Sequence, residues 1–136
     1  ANIVGSVNVY KRQHYQLAHS QAKLVSVPYG RVFDVAVDLR QSSPYFKRWV
    51  AFELSSENGF QLYIPKGFAH GFQVLSDVAV FDYKCDALYA PGDEYSLNWL
   101  DESIGIDWPI IDGAVLSEKD RQALPFKQIH RDHLFA

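Results

Sequence analysis

The chain has 136 residues, of which 48% are hydrophobic and 15% aromatic, and it carries a formal net charge of −3 at pH 7. This length supplies one well-filled core and not two, so we expect one domain. The negative charge and the mixed signs along the chain exclude a mainly basic surface, so we predict neither nucleic acid nor a membrane as a partner.

Cysteine use and hydropathy point to a compartment. Cys85 is the single cysteine, which excludes an internal disulfide and a cysteine-based zinc site. This fits a reducing environment. No stretch approaches the roughly 18 apolar residues that a spanning helix needs, and the N-terminal residues lack a basic region followed by an apolar one. We therefore expect a cytoplasmic protein.

Short runs of alternating apolar and polar residues predict β-strands. In chain order they are 23–29, 31–40, 48–55, 59–65, 70–76, 78–84 and 94–99. Alternation is clearest in 31–40, whose two faces are Val32, Asp34, Ala36, Asp38 and Phe33, Val35, Val37, Leu39. Gly, Pro, Asn and Asp occupy the intervening turns. Six to nine short strands at this spacing predict a β-sandwich or barrel.

The only clear helix signal lies near the C-terminus. Ser117 is a good N-cap residue, and the following EKDRQAL segment places Glu118 in the first helical turn. The helix should be short. The residues from about 110 onward contain no linker, so they are expected to pack on the barrel as a tail.

Polar residues within or beside the apolar strand pattern are the informative ones, because a buried, unpaired charge costs several kcal/mol. The candidates are His14, Lys23, Asp34, His70, Tyr83 and Tyr89. Each taken singly can be structural, since a histidine such as His70 is often a satisfied core residue. Their joint occurrence in a small barrel, whose mouth commonly holds a ligand, favours a functional cavity.

The sequence lacks the patterns that are typical of other common catalytic sites. His14 and His19 are five residues apart and do not share a strand face, and HRDH at 130–133 has no third ligand near it, so no metal is predicted. Cys85 has no evident activating partner, and neither a nucleophile elbow nor a glycine-rich phosphate loop occurs. Of the chemistries considered, the sequence patterns leave proton transfer between side chains and a substrate.

A collinear series of motifs extends over most of the chain. The motifs are HYQ (14–16), QAKLV (21–25), GRVFDVAVDLR (30–40), SPYF (43–46), LSSENGFQLYIPKGFAHGFQVLSD (54–77), YKCDALYAPGDE (83–94), IGIDWP (104–109) and LSEKD (116–120). In this order the chain resembles the dTDP-4-dehydrorhamnose 3,5-epimerases, most specifically in IPKGFAHGF. The resemblance implies an all-β fold, a cupin-like jelly-roll barrel with a short C-terminal helix.

The resemblance also implies an activity. Such an enzyme inverts C3 and/or C5 of dTDP-4-keto-6-deoxyglucose by proton abstraction next to the C4 ketone, without metal or organic cofactor. By this resemblance His14 is the base, Asp120 orients it, Lys23 faces the developing oxyanion, and Tyr83 returns the proton from the opposite face. The implied substrate-binding residues are Lys11, Gln16, Asp34, His70, Tyr89 and Glu94.

The domain organisation and the oligomeric state follow from the same resemblance. A single jelly-roll domain spans 1–136, in which 1–13 is a shortened remnant of the family's N-terminal strands and 110–136 is the C-terminal tail. A shortened barrel would expose strand edges, which a homodimer would bury. The alternative function is a catalytically impaired or divergent jelly-roll protein that binds a nucleotide sugar or another small ligand.

Overall fold

The computed structural model describes residues 2–5, 10–109 and 115–136, and for 2–5 and 10–13 the description covers the strand backbone. Its elements are β1 (Asn2–Gly5), β2 (Tyr10–Gln16), β3 (Lys23–Tyr29), β4 (Arg31–Asp38), β5 (Trp49–Ser55), β6 (Gln61–Ile64), β7 (Phe68–Val74), β8 (Val78–Cys85), β9 (Glu94–Leu97) and α1 (Glu118–Arg121). The predicted all-β class and the short C-terminal helix are confirmed.

The strands form two antiparallel sheets. One has four strands in the order β1-β8-β3-β6, and the other has five in the order β5-β4-β7-β2-β9. All seven runs predicted from alternation coincide with strands β3 to β9. Strand β2 was not among them, because its sequence YKRQHYQ has too few apolar residues for a recognisable alternation. It is nevertheless held on both sides, by β7 and by β9.

The first apolar cluster lies between the two sheets. Its buried members are Val25, Val27, Val32, Ala36, Leu54, Ile64, Phe72, Val74, Ala79 and Phe81. These residues come from both sheets and alternate along each strand, as inward-facing positions must. Two of its members, Phe72 and Phe81, also line a cavity between the sheets.

The second apolar cluster covers the outer face of the five-stranded sheet. Its buried members are Tyr15, Val35, Val37, Leu39, Ala69, Leu97, Trp99, Ile104, Trp108 and Leu134. Strand β4 contributes to both clusters with alternate residues, so the two faces predicted for it are confirmed. Both faces of β4 are therefore buried, which accounts for its long apolar run.

The C-terminal residues place one acidic side chain against the barrel. Ser117 caps α1, accepting a hydrogen bond from the Asp120 backbone nitrogen (3.3 Å) and donating one to Asp120 Oδ2 (2.6 Å). Asp120 is buried although it carries a charge. The predicted cap at Ser117 is confirmed. Of the predicted N-terminal remnant and the tail, residues 1, 6–9 and 110–114 lie outside the described residues.

Across the part of the chain that the structure describes, no helix has the length and apolar character needed to cross a membrane.

Candidate active site

A cavity of about 640 Å³ opens between the two sheets, with Phe72 and Phe81 of the inner apolar cluster in its wall. The other lining residues are His14, Tyr15, Gln16, Gln21, Lys23, His70, Tyr83, Cys85, Ala87, Leu88, Tyr89 and Glu94. Seven of the ten residues predicted for the site are among them. The volume falls in the range of small-molecule sites, roughly 300–1,000 Å³.

The five-stranded sheet supplies one wall of the cavity through its strand register. His14 on β2 pairs with His70 on β7 and with Ser96 on β9. Gln16 on β2 pairs with Glu94 on β9. Because residues two apart on a strand point to the same face, this register gathers the side chains at one end of the sheet.

The four-stranded sheet supplies the opposite wall. Lys23 on β3 pairs with Cys85 on β8, and Val25 pairs with Tyr83. Lys23 and Tyr83 are therefore diagonal neighbours on the inward face. The base and the acid predicted from the resemblance, His14 and Tyr83, thus line one cavity from two different sheets.

The imidazole of His14 lies between two carboxylates. Its Nδ1 is hydrogen-bonded to Glu94 Oε1, and its Nε2 lies 3.7 Å from Asp120 Oδ1. The second distance is that of an ion pair and exceeds hydrogen-bond length. Asp120, predicted to orient His14, lies beside it, and the hydrogen-bond partner of Nδ1 is Glu94.

Tyr89 and Lys119 contact the side chain of Glu94 at the mouth of the cavity. The hydroxyl of Tyr89 donates to Glu94 Oε2 at 3.2 Å, and Lys119 Nζ lies 3.9 Å from the same oxygen. Tyr89 itself is largely exposed. Sequence reasoning missed the part played by Lys119, which lies outside the predicted strands and next to Asp120 in α1.

A second histidine is buried in the same wall. His70 Nε2 lies 2.6 Å from Asp34 Oδ1, and Asp34 is completely buried. The His70 ring stacks on Phe81, with ring centres 5.8 Å apart. Asp34 does not line the cavity; it holds His70 from behind. This pairing is how a charged residue is accommodated in the apolar pattern of β4.

Lys23 is the cationic group of the cavity wall opposite His14. Burial lowers the pKa of its ammonium group, and electrostatic interactions with Cys85, Asp34 and Glu94 partly offset this. Burial also raises the pKa of the neighbouring Cys85 thiol, which opposes formation of a thiolate. A cation held in a partly desolvated wall interacts strongly with any negative charge that develops beside it.

Gln16 and Lys11 were also predicted to bind substrate, and the structure describes side-chain contacts for Gln16 alone. Gln16 donates to the carbonyl oxygens of His19 (2.8 Å) and Leu88 (3.2 Å) and accepts from the Ala90 nitrogen (2.9 Å). Its amide group therefore fastens the loop that carries Tyr89. Lys11 lies on β2, but its side chain is outside the described residues.

Among the residues that the structure describes, no three His, Cys, Asp or Glu side chains converge in a way that could hold a metal ion.

Comparison with known proteins identifies the family of the chain. A model of the family described as dTDP-4-dehydrorhamnose 3,5-epimerase matches residues 3–128. The chain belongs to this family. A Pseudomonas aeruginosa member, named dTDP-4-dehydrorhamnose 3,5-epimerase, is 52% identical over 118 residues, or 87% of this chain and 65% of the relative. The chain thus spans just under two thirds of that relative's length.

Solved structures of family members share the fold. The dTDP-6-deoxy-D-glucose-3,5-epimerase of Legionella pneumophila, in complex with dTDP-4-keto-L-rhamnose, has a TM-score of 0.95 and 47% identity, covering 98% of this chain and 72% of that one. A 3'-monoepimerase of Streptomyces bikiniensis, in complex with dTDP, has a TM-score of 0.90 and 31% identity, covering 99% and 69%. These similarities confirm the cupin-like jelly roll.

Proposed function

We propose that the chain carries the catalytic barrel of an epimerase that inverts C3, C5 or both in dTDP-4-keto-6-deoxyglucose. The observation that carries the proposal is the opposition of His14 and Tyr83, which line one cavity from different sheets, with Lys23 also in its wall. Inversion at carbon needs this arrangement, because the proton must leave from one face of the sugar ring and return to the other. The ligand of the Legionella pneumophila relative, dTDP-4-keto-L-rhamnose, supports the choice of substrate class.

The first step of the proposed reaction is proton abstraction. The lone pair of a His14 ring nitrogen takes the C3 or C5 proton, and the C–H electrons form an enolate whose negative charge lies on O4. The Lys23 ammonium group then faces that oxygen, where a fixed cation stabilises the transition state most. Asp120, at 3.7 Å from the imidazole, stabilises the imidazolium that has formed.

The second step returns a proton. The hydroxyl of Tyr83 protonates the same carbon from the opposite face, and the enolate collapses to the ketone. The tyrosinate then recovers a proton from solvent, and the His14 imidazolium releases its proton to solvent. No net proton or electron is gained or lost. In this proposal Asp34, His70, Tyr89 and Glu94 shape the sugar pocket, and Lys11 and Gln16 contribute on the β2 side.

We also propose that the chain is one domain that acts as a homodimer. Leu134 is buried in the outer apolar cluster, which supports including 110–136 in the same domain. Val50 and Phe52 are exposed on β5, which is an edge strand among the described residues. Covering this apolar edge favours self-association. Light scattering should give a dimer that Phe52→Lys weakens, and a stable monomer of the unmodified chain would contradict the proposal.

The decisive experiment is proton NMR in heavy water with dTDP-4-keto-6-deoxyglucose. Loss of the C3 and C5 signals establishes a 3,5-epimerase, and loss of one signal establishes an epimerase of one centre. If the sugar nucleotide binds but neither proton exchanges, the chain is the nucleotide-sugar-binding barrel of the alternative reading, and the epimerase proposal is wrong.

His14→Ala tests the assignment of the base. It should slow exchange by roughly 10²- to 10⁴-fold, the usual contribution of a general base, without loss of fold by circular dichroism. His130→Ala is the matched control, because His130 is exposed and lies outside the cavity. Unchanged exchange in His14→Ala would contradict the assignment.

A further inference from the structure

Phe72 and Phe81 form the innermost part of the cavity, its floor. Phe72 on β7 and Phe81 on β8 both line the cavity, and they are 7% and 2% exposed. We infer that this floor is the subsite for C6, the methyl carbon of the 6-deoxy sugar, and that it favours such a sugar over one with a 6-hydroxyl group. The inference rests on the proposed function, in which the sugar of the nucleotide enters this cavity.

The depth of the floor follows from the exposure of alternate residues along each strand. On β8 the exposed fraction rises from Ala79 (0%) through Phe81 (2%) to Tyr83 (43%), and these residues share one face. On β7, Val74 lies two positions beyond Phe72 and is completely buried. Among the described residues of these two strands, Phe72 and Phe81 are therefore the deepest that the cavity reaches.

The packing of the two rings limits what they can contact. They are stacked with their centres 4.3 Å apart and their planes 14° from parallel. The His70 ring also stacks on Phe81, and its Nε2 is hydrogen-bonded to Asp34. Because so little of each phenyl ring is exposed, the floor suits a group of methyl size and not the face of a sugar ring.

The chemistry of the substrate decides which of its groups reaches the floor. The diphosphate on C1 is negatively charged, and its burial against two phenyl rings would be strongly unfavourable, so C1 must point to the mouth. C4 lies across the six-membered ring from C1, and C6 is attached to C5, next to C4. The inner half of the ring thus carries O4, the hydroxyl group on C3, and C6. Of these C6 alone forms no hydrogen bond, and it fits the apolar floor.

A 6-hydroxyl group at this place would lose its hydrogen bonds to water. The residues packed behind the rings, Val74 and Ala79, offer it no polar side chain. Tyr83, whose hydroxyl group could pair with it, lies nearer the mouth. An apolar pocket rejects an added hydroxyl group only moderately, so the expected preference for the 6-deoxy sugar is roughly 10- to 100-fold.

A pair of unreactive nucleotide sugars tests the preference without catalysis. The compounds dTDP-6-deoxyglucose and dTDP-glucose differ only in the 6-hydroxyl group, and neither has the 4-ketone that the proposed reaction needs. In isothermal titration calorimetry the unmodified protein should bind the 6-deoxy compound roughly 10- to 100-fold more tightly. Equal affinities would overturn the inference.

NMR of the complex with dTDP-6-deoxyglucose locates the methyl group. Its protons should show nuclear Overhauser effects to the ring protons of Phe72 and Phe81, and the Phe72 signals are assigned by their absence in Phe72→Leu. Phe60→Leu is the matched control, because Phe60 is exposed and does not line the cavity. Effects to Tyr89 at the mouth in place of the floor rings would overturn the inference.

A polar floor should weaken the preference. Phe72→Gln offers an amide group to the 6-hydroxyl group and should narrow the difference in affinity roughly fivefold, as expected for one hydrogen bond. An unchanged difference in the folded variant would contradict the assignment, and if the variant does not fold, the spectra of the unmodified protein decide.

Failure of the proposed function has a separate signature. If dTDP-4-keto-6-deoxyglucose binds without exchange of its C3 or C5 proton, the epimerase proposal is wrong. The calorimetry and the Overhauser effects use compounds that do not react, so they still decide whether Phe72 and Phe81 hold C6.

Discussion

At the apolar end of the barrel interior, β3, β4 and β7 contribute Val25, Val32 and Val74, which have no solvent exposure. At the cavity end, the same β3 and β7 contribute Lys23 and His70. Each polar residue lies an even number of positions from the valine on its own strand. The two ends therefore use one inward-facing alternation and differ only in the side chains placed on it.

Stability and chemistry therefore depend on different ends of the barrel interior. The apolar end buries side chains without polar atoms and therefore stabilises the fold. The cavity end holds the Lys23 cation and the Asp34–His70 pair in partly desolvated positions, which cost free energy unless they are compensated. Substitutions at the two ends should accordingly separate activity from stability.

Among the substitutions that compare the two ends, the largest expected effect is at Lys23. Lys23→Met should slow C3 and C5 exchange by roughly 10²- to 10³-fold, because it removes the cation that faces the enolate oxygen. The melting temperature should not fall, because the substitution also removes a buried charge of lowered pKa. Lys84→Met is the matched control on β8, where Lys84 is exposed. A large loss of stability with unchanged exchange would contradict the separation of the two ends.

The reverse pattern is expected at the apolar end. Leu54→Ala should lower the free energy of unfolding by about 2–5 kcal/mol, since Leu54 is almost completely buried. Exchange per folded molecule should stay the same. Urea unfolding gives the first quantity, and Leu100→Ala, at a half-exposed position, gives the control. A substantial loss of exchange in folded Leu54→Ala would show that the ends are coupled.

A smaller effect is expected at the turn between β3 and β4. Gly30 has φ of +80°, and a Cβ atom there would lie 2.3 Å from the Val78 carbonyl oxygen. Gly59 has φ of +62° but open space around it. Gly59→Ala should cost about 1–2 kcal/mol of backbone strain, and Gly30→Ala should cost more because the backbone must also move. Equal melting temperatures for the two variants would contradict this ranking.

The smallest expected effect is a change in how the exchange rate depends on pH. Exchange requires the Lys23 ammonium group, so the rate should fall as pH rises through the pKa of Lys23. Burial lowers this pKa below its ordinary value of 10.5, so the fall should begin at lower pH than for a free lysine. Lys23→Arg, if active, should move the fall to higher pH, because arginine stays protonated. If the exchange rate falls over the same alkaline pH range in both proteins, the group that titrates there is not Lys23.

Sequence alone predicted the parts of the fold that depend on local alternation. Strands β3 to β9 follow from their apolar pattern, and the α1 cap follows from Ser117. Strand β2 escaped this reasoning because the surroundings of His14 and Gln16 are polar. The resemblance named His14, and it also named Glu94 and Asp120, which the structure places beside it.

The contacts that define the site depend on register between distant segments. Glu94 and His14 are 80 residues apart in sequence, and they meet only because β9 pairs with β2. Asp120 reaches the same histidine from α1. Neither contact is encoded in a local pattern, so the placement of the two carboxylates beside His14 needed the structure.

In the proposed reaction the base and the acid act from opposite sheets, and Tyr83→Phe removes the acid alone. In heavy water with dTDP-4-keto-6-deoxyglucose, NMR should show that this variant still exchanges a proton next to the ketone, because His14 can remove a proton and return a deuteron on its own face. Inversion should be lost, whereas Tyr63→Phe, an exposed tyrosine on β6, should behave as the unmodified protein does. If Tyr83→Phe inverts the sugar at the normal rate, Tyr83 is not the acid and the two-sheet account is wrong.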